Sequence, residues 1–458
     1  GGGGGGGGGD TGDKDKIVSV DQWGNNQWSS MAVAFYGCKN LELNATDAPN
    51  LSMAISMHRM LAGTESFNQD ISNWDVSTIT DMSNLFSSAT IFNQDISGWD
   101  VSSVVNMRSM FSGATAFNQP IGSWNVSKVT NMSWMFSGAT TFNQDIGLWD
   151  VSSIVNFSHV FYRASSFNQD LNGWNVSKGY RMDGMFAYAT AFNQDIGLWD
   201  VSSVANLKSM FHSATSFNQD LNGWNVSNVK DMTSVFQSAL SFNGNITNWD
   251  VSLVKYMSKM FYEANVFNQP IGGWNVSMVS HMDYLFYKAN SFNQDIGNWN
   301  VSNVTNMEAM FRLVTAFNQD LSSWDVGAVT DMQQMFRGAT LFDQDISGWN
   351  VSNVITMENM FKDAKLSTAN YDALLNGWNA QTLQPNVVFN GGNSTYCISE
   401  TARTTLIGTD GWVITDGGKL CNIVPECTEL TTPSNGTTNI SVDSNLSWSS
   451  IATATGYK

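Results

Sequence analysis

The chain has 458 residues and a formal net charge of −18, which argues against nucleic acid and an anionic membrane surface as direct partners. Only 13% of its residues are charged, so Asn, Ser, Thr and Gly carry most of the polarity, as in exported proteins. No apolar run reaches the roughly 18 residues that a membrane-spanning helix needs.

Residues 1–25 form a leader of nine glycines followed by polar residues, with Ile17, Val18 and Val20 marking a short strand. A glycine run holds no structure of its own. No signal peptide stands at residue 1, so an exported form implies a mature or truncated chain. Residues 26–64 read as N-terminal capping repeats. Met31, Ala34, Phe35, Cys38, Leu41 and Leu43 make one divergent unit. Leu51, Met57, Met60, Leu61 and Thr64 then occupy columns later held by Val76, Met82, Leu85, Phe86 and Ala89. Terminal repeats diverge because one of their faces has no neighbour.

Residues 65–365 hold twelve repeats of 25 residues. Phe recurs at 67, 92, 117, 142, 167, 192, 217, 242, 267, 292, 317 and 342, and Trp follows seven residues after each. A fixed period of this length implies a stacked array. Within the first unit, 67–70 is a turn and 71–76 is extended, with Ile71, Trp74 and Val76 apolar. Ile79, Met82, Leu85, Phe86 and Ala89 then fall at helical intervals, which predicts a helix of about ten residues. Asp75 or Ser77 is placed to cap it. The expected fold is an α/β repeat solenoid, a leucine-rich-repeat-like stack of short parallel strands and helices with N- and C-terminal caps. The strands should line the concave side and the helices the outer side.

Residues 366–420 read as a C-terminal cap: a helix over 366–375 ending before Asn376-Gly377, a strand at 387–389, a helix over 399–407 and a last strand at 412–415. Residues 421–431 read as a linker. Residues 432–458 begin an alternating β pattern with Trp448 and Tyr457, which is expected to continue past Lys458. The cysteines are Cys38, Cys397, Cys421 and Cys427, and none forms a Cys-x-x-Cys pair, which argues against a zinc or redox site. Cys397 and Cys421 flank the end of the array as candidates for a disulfide, a question the spacing leaves open. Cys38 sits at an apolar position and reads as a buried thiol.

The motif Phe-Asn-Gln-Asp-Ile-x-x-Trp-Asp-Val-Ser-x-Val-x-x-Met-x-x-Met-Phe-x-x-Ala resembles the repeat of BspA-like bacterial surface proteins, over roughly residues 26–420. That family is related to leucine-rich repeats. The terminal β pattern is similar to the first strands of a fibronectin type III domain. The resemblance implies a secreted or cell-surface bacterial protein with an adhesion or host-interaction role. The joined arrangement is similar to surface proteins of Bacteroidota, some exported by type IX secretion and linked to gliding or adhesion. No catalytic residues come with it.

Three repeated polar columns read as scaffold. Asp stands at 70, 95, 145, 170, 195, 220, 295, 320 and 345, where stacked carboxylates admit a Ca²⁺ ladder. Pro120, Pro270 and Asn245 share that column, so turn residues bonding local N–H groups are the preferred reading. The column after each Trp divides evenly between Asp and Asn, which suits a cap and wastes a charge; its Asn-Val-Ser triplets match glycosylation sequons only by pattern. The Asn-Gln pair that follows Phe in ten of the twelve units (Asn243-Gly244 and Asp343-Gln344 being the exceptions) predicts an amide ladder, in which Asp343 can still accept. His58, His159, His212 and His281 fall in four different columns and should not be brought together. No nucleophile elbow, zinc motif or phosphate loop occurs, so the reading is non-enzymatic, without metal or cofactor beyond the Ca²⁺ alternative.

Specificity is sought in residues that differ between repeats. On the expected outer helix face stand Tyr162, Tyr262, Tyr287, Arg312 and Arg337, with Trp134, Tyr180, Tyr188, Tyr256 and Tyr284 nearby. Exposed aromatics and arginines suit contact with a surface protein or glycan. The alternative is that they fill grooves between neighbouring units. The leading expectation is an adhesion or protein/glycan-binding protein. A structural stalk, or a cargo component of an outer-membrane secretion or gliding complex, and a carbohydrate-binding accessory module of a larger enzyme are the alternatives.

Overall fold

The computed structural model describes residues 17–421 and the backbone at 430–432 and 447–448. Most of the leader, of the linker and of the fibronectin-like segment lies outside the described residues. Leu430–Thr432 and Ser447–Trp448 pair antiparallel.

The apolar columns of the repeat make one continuous core. Phe67, Ile71, Val76, Met82, Phe86 and Ala89 are at most 1% exposed, and their equivalents follow suit down the array. Like side chains stack on like. Phe92 and Phe117 lie 6.0 Å apart at 4°, Phe111 and Phe117 4.0 Å apart, and Trp124 and Trp149 6.5 Å apart at 3°. Burying such side chains contributes about 1.5–3 kcal/mol each. Each indole also donates to the preceding unit, from Trp99 Nε1 to the Ile71 carbonyl at 3.1 Å through Trp349 to Leu321 at 2.9 Å.

The units do not contain the expected helix. Among the described residues the α-helices lie in the C-terminal segment, and the array carries only a 3₁₀ turn at Ile121–Ser123. Residues 71–76 are not a strand either; parallel bridges between units run instead through Asp81, Asn106, Asn131 and their equivalents. Over 82–89 the backbone N–H groups alternate. Met82, Asn84, Phe86 and Ser88 donate to Asn106, Arg108, Met110 and Ser112 of the next unit at 2.6–3.0 Å. Leu85, Ser87 and Ala89 donate three residues back within their own unit. The alternation requires left-handed residues at Asn84 (φ 58°) and Ser88 (φ 59°) and in their columns throughout. That conformation costs roughly 1–2 kcal/mol per non-glycine residue, offset by bonds to both neighbours. The stretch read as a helix is therefore an inter-unit ladder.

The first regular unit turns at three Asp corners, and most later units keep Asp or Asn at these positions. Asp70, Asp75 and Asp81 accept from the backbone N–H two residues on, at 2.9, 3.1 and 3.0 Å. All nine carboxylates of the Asp70 column do this, from Asp95 to Asp345. The column after Trp thus closes a turn and caps no helix. The amide ladder is present: Asn93 N–H donates to Asn68 Oδ1 at 2.8 Å and Gln94 Nε2 to the Asn68 carbonyl at 2.9 Å. It ends on Asp343, which accepts from Ser367 N–H and Asn370 Nδ2 of the cap at 2.8 and 2.9 Å.

At the N-terminus β1 (Ser19–Val20) pairs parallel with β2 (Glu42–Leu43), Trp23 meets Trp74 edge-on at 5.6 Å, and Cys38 is buried. The C-terminal cap holds α1 (Thr368–Asn379), β3 (Val388–Asn390), α2 (Glu400–Gly408) and β4 (Val413–Thr415), with β3 and β4 parallel. The α1 helix runs past Asn376-Gly377 because Trp378 is fully buried beyond it. Gly377 is needed there, since a Cβ would lie 2.4 Å from the Ser347 carbonyl. The buried Asp372 carboxylate gathers the N–H groups of Cys397, Ile398 and Ser399, at 2.9–3.1 Å through Oδ1, beside the Cys397–Cys421 disulfide.

Candidate binding face

The ladder places the variable columns, from Thr80 to Ser88 in the first unit, along one face of the stack. The sequence-selected aromatics therefore stand on the bridged face and not on an outer helix face. They gather into two groups. In the first, Trp134 stacks on His159 at 3.9 Å and 2°, and both rings meet Tyr162 at 5.5 Å. Tyr162 meets Tyr188 edge-on at 5.5 Å, and Tyr188 lies 4.8 Å from His212. The Arg163 guanidinium lies over both tyrosines, at 5.2 and 5.3 Å.

In the second group Tyr262 stacks on Tyr287 at 4.4 Å, and Tyr284 lies 5.9 Å from Tyr287. Arg312 and Lys288 lie over Tyr287 at 5.2 and 5.4 Å, and Lys259 over Tyr284 at 5.6 Å. Lys288 also pairs with Glu263 at 2.9 Å. Tyr287 is only 8% exposed, so it supports its neighbours instead of presenting itself. Tyr180 (60% exposed) and Tyr256 (44%) are open; Tyr256 meets His281 at 5.7 Å. Arg337 stands apart, paired with Asp363 at 3.5 Å.

Burial and partners set the charges of the face. Burial lowers the His159 pKa below its ordinary 6.5 against the pull of Asp183. Burial and then Lys259 lower that of His212. For Asp183, burial raises the pKa, but hydrogen bonds from Arg181 and Ser158 outweigh it and hold the carboxyl low. Burial and the hydrogen bond to Glu308 push the Tyr284 phenol well above its ordinary range, so it remains a donor.

His159 and His212 flank one ring cluster, with Tyr162 and Tyr188 between them. Sequence reasoning passed over Arg163, Arg181, Asp183, Lys259 and Lys288. A readable signal existed. Between positions 67 and 363, eleven of the thirteen Lys and Arg residues fall in the Thr80–Ser88 columns, with nine acidic residues. The other columns hold two basic residues against sixteen acidic ones. The acidic protein thus concentrates its cations on one face.

The profile of the family described as "Mycoplasma protein of unknown function, DUF285" matches residues 29–147, 119–224, 195–292, 219–316 and 269–378, overlapping stretches that tile the repeats. Comparison with curated proteins returns no match.

Proposed function

The chain belongs to this family of repeat proteins, and on that premise we propose that it is a non-enzymatic binding protein of the bacterial surface. The array acts as a solenoid that displays the ladder face to a surface protein or glycan. The observation that carries this reading is the segregation of constant from variable columns. Repeated Phe, Trp, Asn and Asp residues build core, ladder and corners, while differing aromatics and cations share one face. Shared ring and cation contacts hold these side chains in place, which lowers the entropy lost on binding.

The test uses a Tyr262→Ser/Tyr284→Ser/Tyr287→Ser variant. Serine already occupies the same columns at Ser87, Ser109 and Ser112, so the fold tolerates it. Binding to immobilised extracellular-matrix proteins and glycans should fall about tenfold or more, with the far-UV spectrum unchanged. Undiminished binding by the folded variant rejects the reading. The uniformity of the other columns favours a stalk as the second reading, and that outcome would select it.

A further inference from the structure

Two cavities open on the ladder face and share Arg108. The first, about 420 Å³, is bounded by His58, Arg59, Asp81, Asn106 and Arg108 among others. The second, about 220 Å³, is bounded by Trp134, His159, Asn131, Asn156, Arg181 and Asp183 among others. Together they form a polar groove along the stack with an aromatic pair at its far end.

We propose that this groove binds an acidic oligosaccharide, with Arg59 and Arg108 receiving its anionic groups and Trp134 supporting a sugar ring. The inference rests on the reading of the ladder face as a binding surface and adds the ligand class.

Three features lead to it. Arg59 and Arg108 form no ion pair among the described residues, whereas Arg181, Arg337 and Arg403 each have a carboxylate partner. An unpaired guanidinium is a fork for a carboxylate or sulfate, which it binds through two parallel hydrogen bonds. Second, the rest of the lining is polar (amides, hydroxyls, the imidazoles of His58 and His159, Arg181, and the carboxylates of Asp81 and Asp183), and Trp134 is its one large apolar side chain. Such a wall matches a ligand dense in hydroxyl groups. An acidic peptide would want pockets for apolar anchors, and strand addition is unavailable because the ladder backbone is already paired between units. Third, Trp134 is covered on one side by His159, while the preceding unit offers only Ser109 in the same column. One indole face is therefore left toward the groove, and an aromatic face is a platform for the C–H face of a pyranose.

The repeat supplies its own test substitutions. Serine stands in the Arg108 column at Ser83 and Ser133, and in the shared Arg59 and Trp134 column at Ser109 and Ser209. Arg59→Ser, Arg108→Ser and Trp134→Ser are therefore compatible with the local backbone, and Lys128→Ser, in a column outside the face, is the control. Titration calorimetry of the full chain uses a galacturonate oligosaccharide, a sulfated oligosaccharide, a neutral gluco-oligosaccharide and a poly-glutamate peptide of matched charge. The expected result is binding of the uronate or the sulfated sugar, weakened by salt and about tenfold weaker in each of the three groove variants. Lys128→Ser should bind as the parent does. Which of the two sugars binds identifies carboxylate or sulfate as the recognised group. Binding of neither, equal binding of the neutral sugar, or peptide binding indifferent to Trp134→Ser overturns the inference. In each case the Tyr262/Tyr284/Tyr287 experiment still decides separately whether the face binds anything.

Discussion

The turn side of each unit and its ladder face obey different rules. On the turn side a side chain is dictated by the units before and after it. Trp224 donates to Ile196 at 2.9 Å and stacks on Trp249 at 6.3 Å, and the same is repeated along the array. On the ladder face the backbone makes the inter-unit bonds, so the side chains are released from that duty. Serine, tryptophan, histidine, lysine and tyrosine all occupy one column there. Variation is therefore cheap on the ladder face, where recognition can evolve without unfolding the stack.

The largest effect should come from breaking the constant side. Trp224→Ala removes a fully packed indole and its hydrogen bond, and should cost about 3–5 kcal/mol, read from the urea midpoint. On the ladder face the side chain matters less than the backbone. Ser209 has φ 56°, so Ser209→Val should cost about 1–2 kcal/mol through left-handed strain. Ala205→Val, in a column that already holds Val105 and Val155, should cost well under that. Equal effects of the two valines would show that the ladder conformation is wrong.

Acid should separate the two sides by pH. His159 and His212 have folded values below 6.5, so the unfolded chain binds more protons in that window. Their stabilisation is lost as pH falls below 6.5 through the folded values. For the corner carboxylates the window lies lower. The serine side-chain and backbone hydrogen bonds hold Asp75, Asp95, Asp100 and Asp200 below 3.8. Their stabilisation is present above about pH 4 and lost as pH falls through the depressed values. The melting temperature should therefore decline in two stages, and His159→Ser/His212→Ser should flatten only the first. The smallest effect concerns Ca²⁺. Since each corner carboxylate already accepts from its own turn, melting with Ca²⁺ and with a chelator should coincide; a rise with Ca²⁺ would revive the ladder of ions.

The period, the buried columns, the amide ladder and the Asp turns were legible because stacking repeats one environment twelve times. The helix was misread for a physical reason. Ile79, Met82, Leu85, Phe86 and Ala89 follow helical spacing, but a coil that turns every three or four residues buries the same stripe. The discriminating signal lay in the Asn84 and Ser88 columns. From Asn84 to Asp363 they hold no Val, Ile or Thr and include Gly113, Gly138, Gly184 and Gly338. Left-handed backbone disfavours β-branched residues, and among the described residues only Val33 in the divergent first unit (φ 56°) takes it, whereas an exposed helix position admits them freely. The ring clusters were partly legible. Tyrosine positions could be read, but the pairing of His159 with Trp134 depends on the two sharing a column one unit apart, which helical thinking obscures.

The 82–89 stretch and its equivalents form an inter-unit ladder in place of a helix. Far-UV circular dichroism tests it directly. Helical signal should come from little more than α1 and α2, 12 and 9 residues of the described chain. A helical signal several times larger, as a helix in every unit would give, would contradict it.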